Sequence, residues 1–569
     1  MTVSLVDNQS KINMIRYATG PVAVDTEIVP LGGISVAFRG MPDGFYFGIN
    51  HAGDHNLTPD ELLNLIDALY SREALIFHNS PHDLAVLEDA GFPYLGKFYD
   101  TMLMAHWVNE NMFNYSLDSV SKYYGGKPKQ KPQLMQDLID QDGWDSIPFN
   151  MMDEYSSHDA WITMQAFDKI EPLFFGQFDE ELWQVEQDFI RHVIIPMKRR
   201  GIKLDLEFCI REYMRGTAIM EECKKELGFD PGKAAQLKKV LIDDMGLPIL
   251  GRTATGRIAF TKKELAEYET LLEHKKDARA TTILRFRGWQ KTVSSNYKAY
   301  LNLADENGVL HPNYKLHGTV TSRLSCELPN LQQIPKTTDK EWNGKLKDAF
   351  IPRTGFGLWT IDFAQLQFRM AVSYANEEEL INIFNDRSRD IFTEMAKTLS
   401  WLRNSVKTLV YLTLFGGGPK RAKDAFGVTI DEATVLVHEF NSEYPLIKRV
   451  AYRAQNFAQK HGYIKMWTGR RRHFPKGSAY YRAFNAAIQG GEAEIIKRSM
   501  IRIAKEVCDE NCHLLLQIHD EIVFEITEGM EDQYLPRAQK IMEEVPLEFC
   551  KFTGTPVAFA SSIAKWGAK

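Results

Sequence analysis

The feature that most constrains this sequence is a pair of apolar runs that meet at three polar residues within HLLLQIHDEIVFEI. Two such runs separated by so short a break are typical of a β-hairpin, with His519, Asp520 and Glu521 at its tip. The surrounding segments alternate helical patterns with a few strands, which favours an α+β domain. The hairpin therefore predicts a carboxylate presented from the end of a sheet.

A second carboxylate, Asp362, ends the strand-like run LWTIDF, 158 residues before Asp520. Carboxylates presented from strand ends in a rigid sheet are what two-metal phosphoryl chemistry requires. The alternative, an ordinary turn residue, would be favoured for Asp362 without Asp520. We expect Glu521 to support the site rather than to bind metal directly.

The first 180 residues begin with three strand-like runs from about Pro21 to Phe47, PVAVDTEIV, GGISVAF and GFYFGIN, and continue with helical patterns that alternate with short apolar runs, which predicts an α/β domain. Acidic residues recur at regular spacing in this region. Asp25 and Glu27 leave the same face of a strand, and Tyr155 and Asp159 share one helical face. With Asp83, four acids are available for two divalent cations, and they would repel one another without metal. Each pair alone is equally typical of caps or surface groups. Tyr155 is a candidate for orienting the attacking water.

Length and charge limit the class of protein. At ~100–200 residues per domain, 569 residues predict three or four domains, and no apolar run approaches the ~18 residues of a membrane span. No secretion signal is evident, so we expect a cytoplasmic location; import into an organelle stays open for a processed chain. Residues 1–180 hold 10 Lys and Arg against 26 Asp and Glu, whereas residues 191–300 hold 23 against 14. This asymmetry favours a metal-binding part joined to a polyanion-binding part, although charge alone fits two solvated surfaces as well.

Arg403, Lys407, Tyr411 and Phe415 are spaced by four and predict a stripe along one helix. Two cations followed by two aromatic rings are suited to a triphosphate at one end and a base at the other. By spacing alone, an amphipathic helix with a basic end is the commoner case.

The acidic pattern of the first region, DxE, then NxxxD, then YxxxD, resembles the DEDD-type 3′–5′ exonucleases of the Tyr subtype. The resemblance implies an RNase H-like domain over residues 1–180 that takes the 3′ end of single-stranded DNA. It assigns catalysis to Asp25, Glu27, Asp83, Tyr155 and Asp159, with all four acids as metal ligands.

The rest of the chain resembles the family A, polymerase-I-like DNA polymerases. Four segments carry the match in the family's order: VTSRLSCELPNLQQIP (320–335), motif A as DFAQLQFR (362–369), motif B as RNSVKTLVYLTLFGG (403–417) and motif C as QIHDEIVFE (517–525). The resemblance implies a right-hand polymerase domain over 181–569. Its expected parts are a thumb (mainly 181–310), a palm (311–375 and 481–569) and fingers (376–480).

The resemblance also assigns roles within the polymerase site. Asp362 and Asp520 would bind metal; Arg403 and Lys407 would hold the triphosphate, with Lys407 also the proton donor to pyrophosphate. The other residues expected to contact the nucleotide are Gln367, Tyr411 and Phe415. Those expected to contact DNA are Arg323, Asn330, Asn485, Gln489, His519 and Lys291, and the run GRRR (469–472) is a weaker candidate whose alternative is a solvated turn.

Several positions depart from the family pattern. Gln367 and Phe415 stand where the family has a Glu and a Tyr that together form a steric gate against the sugar 2′-OH. The replacement predicts that this gate still excludes ribonucleotides, but less strictly. Tyr411 stands where many relatives have Phe, which implies easier acceptance of dideoxynucleotides. Phe392 replaces a phosphate-binding His, and Ser322 replaces a Gly.

The sequence thus predicts a replicative, phage-like DNA-directed DNA polymerase with proofreading, two Mg²⁺ ions per active site (Mn²⁺ as an alternative), and primer-template DNA and dNTPs as partners. No processivity partner can be named, and no membrane association is expected. Alternatives are an exonuclease fused to a silent DNA-binding module, or a single-subunit polymerase with relaxed sugar selection.

Overall fold

The N-terminal region is built on a mixed five-stranded sheet, in a computed structural model that describes residues 7–27, 30–51, 55–129, 133–253, 255–261, 264–265, 267–268, 270–271, 279–334, 345–551 and 557–563. In spatial order its strands are Phe45–Gly48, Gly33–Ala37, Val22–Glu27, Leu75–Phe77 and Phe98–Asp100. The first three pair antiparallel and the last two join in parallel. This confirms the three strands expected from about Pro21 to Phe47.

Helices cover this sheet, and their starts follow local capping signals. The helix Pro59–Tyr70 begins with a capping box in which Thr58 and Glu61 satisfy each other's backbone N–H groups. The helices of the region are Asn8–Tyr17, Pro59–Tyr70, Ser80–Asp89, Thr101–Val108, Leu117–Tyr123, Gln133–Asp142 and Phe149–Phe175.

A basic, mostly helical region follows. Its two long helices, Leu206–Leu227 and Arg279–Thr292, pack against each other. Other α-helices that the structure describes here are Glu180–Phe189, Ile195–Arg200, Ala234–Lys238 and Lys298–Leu303. Small apolar clusters around Leu237 and Trp289 add to the main core, to which this region also contributes Phe208 and Tyr300.

A four-stranded antiparallel sheet organises the C-terminal region. In spatial order its strands are Cys512–Ile518, Glu521–Thr527, Phe356–Phe363 and Val557–Ile563. The first two form the hairpin predicted from the sequence. The helices Leu366–Ala375 and Glu531–Glu544 belong to this region, as does Ala483–Glu506, which is buried along most of its length and is called here the interior helix.

The segment between the strand Phe356–Phe363 and the interior helix is mostly helical. Its helices are Glu378–Asn385, Ile391–Leu399, Arg403–Leu414, Pro419–Phe426, Ile430–Glu443 and Pro445–His461. Two-stranded ribbons join Tyr463–Lys465 to Arg471–His473, Ile202–Lys203 to Val309–Leu310, and Asn313–Lys315 to Ser325–Glu327.

One continuous cluster of buried apolar side chains runs from the five-stranded sheet to the four-stranded sheet, so the two regions share a core. Across the described part of the chain, none of the helices combines the length and apolar character that crossing a membrane demands. Pro335, the last residue of the 320–335 motif, lies outside the described residues.

Candidate active sites

Three carboxylates of the N-terminal region converge at the end of one strand. Asp25 and Glu27 belong to Val22–Glu27, and Asp159 comes from the long helix Phe149–Phe175. One ligand oxygen from each of the three lies within 4.8 Å of the others. Because an all-carboxylate donor set suits hard divalent cations, these residues fit a divalent-metal site.

Asp83 lies beside this cluster and is held by its neighbours. The Thr26 backbone N–H and hydroxyl donate to one Asp83 oxygen at 2.9 Å and 2.8 Å. Burial raises the pKa of Asp83 to about 7, and the Asp83 charge in turn raises the pKa of Asp25. The four acids named from the sequence are therefore in electrostatic contact.

Burial dominates the electrostatics of the cluster, since it raises the pKa of Asp25, Glu27 and Asp159. Lys129 opposes this effect: its ammonium forms an ion pair with Asp159 and lies 4.7 Å from the centre of the Tyr155 ring. The Lys129 ammonium thus partly neutralises the clustered carboxylates, as expected of a site that attracts cations. Sequence reasoning missed Lys129, although the basic run GGKPKQK within an acidic domain is a signal that could have found it.

The acids of the C-terminal region meet across two strands. Asp362, on the strand Phe356–Phe363, is directly opposite Glu521 on the hairpin. The next backbone N–H, of Phe363, donates to the Asp520 carbonyl at 3.3 Å, which fixes Asp520 beside the strand end. His519 turns the tip with φ +59°. Three carboxyl-bearing residues from two distant segments are therefore neighbours, and their chemistry fits hard divalent cations.

The predicted stripe comes close to these acids at Tyr411. The helix Arg403–Leu414 carries Arg403, Lys407 and Tyr411, and Phe415 caps it rather than continuing it. The Tyr411 and Phe415 rings are 6.0 Å apart. Burial raises the pKa of the Tyr411 hydroxyl to about 12, with smaller contributions from the charges of Asp520, Glu492 and Asp362.

Arg403 and Lys407 stand beside a buried aromatic ring. The Arg403 guanidinium donates to both Asp390 oxygens at 2.8 Å and 2.9 Å, and it lies 5.7 Å from the centre of the Phe392 ring. The Lys407 ammonium is 5.9 Å from the same ring. Phe392 is fully buried and stacks on Phe368. The residue that replaces a family His is thus a packing residue beneath the two cations.

Gln367 and Arg323 share one partner, the buried Glu492 of the interior helix. Gln367 Nε2 donates to one Glu492 oxygen at 3.1 Å, and Arg323 Nε donates to the other at 2.9 Å. Asn485 and Gln489 precede Glu492 on the same helix and are partly exposed. Sequence reasoning missed Glu492, and its position among small residues in QGGEAE gave no strong signal.

The remaining DNA-contact candidates are dispersed. Lys291 is exposed on the helix Arg279–Thr292 of the basic region. The Asn330 side chain accepts a hydrogen bond from the Gln332 backbone N–H and caps a short turn. Within the GRRR run, Arg470 is buried, so neither a DNA contact nor a solvated turn describes it.

Comparison with known proteins identifies the family. A family model for DNA polymerase family A matches residues 212–557. The chain belongs to this family. A second model, for 3′–5′ exonucleases, matches residues 5–174. Both matches agree with the order of domains predicted from the sequence. Family A polymerases and these exonucleases depend on divalent metal, which agrees with the carboxylate cluster.

Curated relatives are bacterial DNA polymerases I. That of Borreliella burgdorferi is 26% identical over 570 residues, covering 95% of this chain and 61% of the relative. That of Pseudomonas aeruginosa is 24% identical over 578 residues, covering 94% and 62%. This chain therefore spans less than two thirds of the length of these relatives.

A solved structure shows the same fold. The POL domain of Pol1 from M. smegmatis, in complex with DNA primer-template and dNTP, gives a TM-score of 0.80 at 21% identity. The superposition covers 98% of this chain and 97% of that chain. The expected fold class, an exonuclease domain followed by a polymerase domain, is confirmed.

Proposed function

We propose that this chain is a template-directed DNA polymerase that adds dNMP to a primer 3′-OH and edits with a 3′–5′ exonuclease. The observation that carries the proposal is the strand register that brings Asp362 beside Asp520 and Glu521. Nucleotidyl transfer needs paired carboxylates in a rigid frame, and both strands here belong to one buried sheet.

In the polymerase site, Asp362 and Asp520 would hold divalent cations, for which we propose Mg²⁺, with Mn²⁺ as an alternative. Bound there, these cations would supply charge stabilisation to the transferring phosphate. Arg403 and Lys407 would bind the triphosphate of the incoming dNTP, and the Lys407 ammonium would donate a proton to the departing pyrophosphate. Tyr411 and Phe415 supply aromatic surface for the nucleotide.

In the exonuclease site, Asp25, Glu27, Asp83 and Asp159 would hold the metal. The Tyr155 hydroxyl, next to Asp159, would orient the water that attacks the terminal phosphodiester of a single-stranded 3′ end. We propose residues 1–180 as the extent of this domain. For the polymerase domain we propose a thumb over 181–310, a palm over 311–375 and 481–569, and fingers over 376–480.

Primer-template DNA would lie against the interior helix, where the polar side chains of Asn485 and Gln489 are partly exposed. Amide groups of this kind can read the acceptors that every base pair presents in the minor groove. Arg323, Asn330 and His519 would contribute near the primer terminus. Lys291 would contact the DNA backbone with a salt-dependent affinity.

Extension of a labelled primer tests the proposal, on DNA and RNA templates, with dNTPs or rNTPs, and with or without Mg²⁺. We expect Mg²⁺-dependent extension on DNA with dNTPs, and degradation of single-stranded DNA. Asp520→Ala should abolish extension and keep degradation, whereas Asp25→Ala should do the reverse. Asp532→Ala and Asp60→Ala change exposed acids of the same two regions and should leave both activities intact.

Two outcomes would contradict the proposal. Degradation without extension by the unaltered protein would favour an exonuclease fused to a silent DNA-binding module. Equal use of rNTPs and dNTPs would favour a polymerase with relaxed sugar selection.

A further inference from the structure

Glu492 is a buried carboxylate that joins two elements of the polymerase site. It is 0% exposed and lies on the interior helix. Both of its oxygens are used: one accepts from Gln367 Nε2 at 3.1 Å and the other from Arg323 Nε at 2.9 Å. Arg323 Nη2 also contacts the second oxygen.

Packing alone does not account for a carboxylate at this position. Burial raises the pKa of Glu492 and the nearby Asp520 charge adds to that effect, while Arg323 opposes it. A buried charge is costly unless it is paired and hydrogen-bonded, and the two bonds to Arg323 and Gln367 provide that pairing. Its helix neighbours Gly491 and Ala493 are small and apolar. The presence of a carboxylate at position 492 is therefore explained by its hydrogen bonds to Arg323 and Gln367.

The bond to Gln367 fixes the orientation of that side chain. With its amide nitrogen committed to Glu492, the amide oxygen of Gln367 is buried and has no hydrogen-bond partner among the described residues. A buried acceptor without a donor is unfavourable and is typical of a group that a ligand completes. A bound dNTP offers one sugar hydroxyl, the 3′-OH, which is the donor that would complete this acceptor, while the fixed Gln367 side chain would fill the space that a 2′-OH needs.

We propose that Glu492 is a positioning residue for sugar selection: it holds Gln367 against the nucleotide sugar and ties this residue to Arg323 at the primer terminus. The inference rests on the proposed polymerase function. The carboxylate that motif A lacks at position 367 is supplied from the interior helix, so the gate is a pair of residues rather than one side chain.

The test compares kcat/KM for dNTP and rNTP insertion in four proteins: the unaltered chain, Glu492→Gln, Gln367→Glu, and the two changes combined. Gln367 and Arg323 donate to different oxygens of Glu492, and Glu492→Gln replaces one of these oxygens by an NH2 group that cannot accept, so one contact is lost. We expect the preference for dNTP to fall about tenfold, mainly through a higher KM for dNTP, which corresponds to the loss of one hydrogen bond.

The combined variant provides a rescue. Gln367→Glu alone places two carboxylates in contact and should weaken dNTP insertion further than Glu492→Gln does. Combining the changes restores one amide and one carboxylate, so selectivity should recover to within a few-fold of the unaltered chain. A role limited to folding predicts no such recovery of the dNTP to rNTP ratio.

Glu494→Gln is the matched control, because Glu494 is equally buried on the same helix and pairs with a different arginine, Arg470. It should lower thermal stability and leave the dNTP to rNTP ratio unchanged. If Glu492→Gln extends primers normally and its dNTP to rNTP ratio is unchanged, this inference is overturned, while the proposed polymerase function stands. Failure of the unaltered chain to extend primers would overturn the proposed function and this inference with it.

Discussion

The guanidinium of Arg470 lies 4.0 Å from the centre of the Trp107 ring, so an arginine of the polymerase domain is buried against the exonuclease domain. Arg470 also pairs with Glu186 at 3.5 Å and with Glu494 at 3.3 Å. Lys497 adds a second cation, 2.9 Å from Glu186. The cation–π contact joins the two domains. The buried ion pairs, which are stronger away from water than at the surface, hold Arg470 in the position that makes this contact.

Arg470→Met should destabilise the protein by about 3–5 kcal/mol, because it leaves buried carboxylates without their full charge partner. Urea unfolding followed by fluorescence measures the change. Combining Arg470→Met with Glu494→Gln should recover part of the loss, since one uncompensated charge is removed. Lys476→Met, at an exposed position nearby, is the control. A loss below 1 kcal/mol for Arg470→Met would show that the network contributes little.

Stability should fall in mild acid because His78 is held neutral. Its ring nitrogens lie 2.8 Å from the Thr101 hydroxyl and 3.0 Å from the Tyr115 carbonyl, and burial lowers its pKa to about 3. In the unfolded chain, His78 binds a proton near pH 6.5. The contribution of neutral His78 to the free energy of unfolding is therefore complete above that pH and is lost as pH falls from 6.5 towards 3.

His78→Gln should therefore flatten the dependence of unfolding free energy on pH by up to about 1.4 kcal/mol per pH unit within that window. Denaturant titrations at several pH values measure it. His438→Gln, at an exposed position, should leave the slope as it is. An unaltered slope in His78→Gln would mean that His78 does take up a proton in the folded protein.

Lys129 should stabilise the protein chiefly when metal is absent. Its ammonium pairs with Asp159, one of the three clustered acids, so it offsets repulsion that a divalent cation would also offset. Lys129→Met should lower the Tm in EDTA and have a smaller effect with excess Mg²⁺ or Mn²⁺. The rise in Tm on adding metal should consequently be larger in the variant.

Thermal melts with and without metal decide this point. Lys122→Met is a suitable control, since Lys122 lies in the same domain but pairs with Asp118 at the surface. A smaller metal-induced rise in Lys129→Met would instead indicate that the lysine helps to hold the metal.

The sequence predicted those features that depend on local pattern. The hairpin at Asp520 followed from two adjacent apolar runs, and the stripe from Arg403 to Tyr411 followed from helical spacing. Local pattern cannot assign partners to buried charges, because these are fixed by packing between distant segments. Arg323 and Glu492 are separated by 169 positions, and Arg470 of the polymerase domain contacts Trp107 of the exonuclease domain. For this reason Glu492 was missed, and the burial of Arg470 within GRRR was not predicted.

Tyr411→Phe should increase discrimination against dideoxynucleotides. The Tyr411 hydroxyl lies in the field of Asp520 and Asp362, where it could replace the contact that a missing 3′-OH would make. Loss of one hydrogen bond to a charged group corresponds to roughly 10–100-fold in the ratio of dNTP to ddNTP insertion. Chain-termination assays measure that ratio, and extension with dNTPs alone should be little changed. Equal ratios in the two proteins would contradict the role of the hydroxyl.

Ser322→Gly should stabilise the protein without altering its chemistry. Ser322 has φ +65°, a left-handed conformation that costs an L-residue about 1–2 kcal/mol and glycine almost nothing. Glycine loses more backbone entropy on folding, so we expect a net gain of about 0.5–1 kcal/mol. Ser322→Val should have the opposite effect, because a β-branched side chain fits this conformation least well.

Urea unfolding of the three proteins compares them directly, with exonuclease activity as the measure of an intact first domain. Ser322 directly precedes Arg323, so the Ser322→Gly variant also tests whether the backbone beside Arg323 already has the conformation that glycine would adopt. If it does, dNTP insertion by Ser322→Gly should match that of the unaltered chain while stability rises. A drop in stability would mean that the buried Ser322 side chain contributes more through packing than its backbone conformation costs.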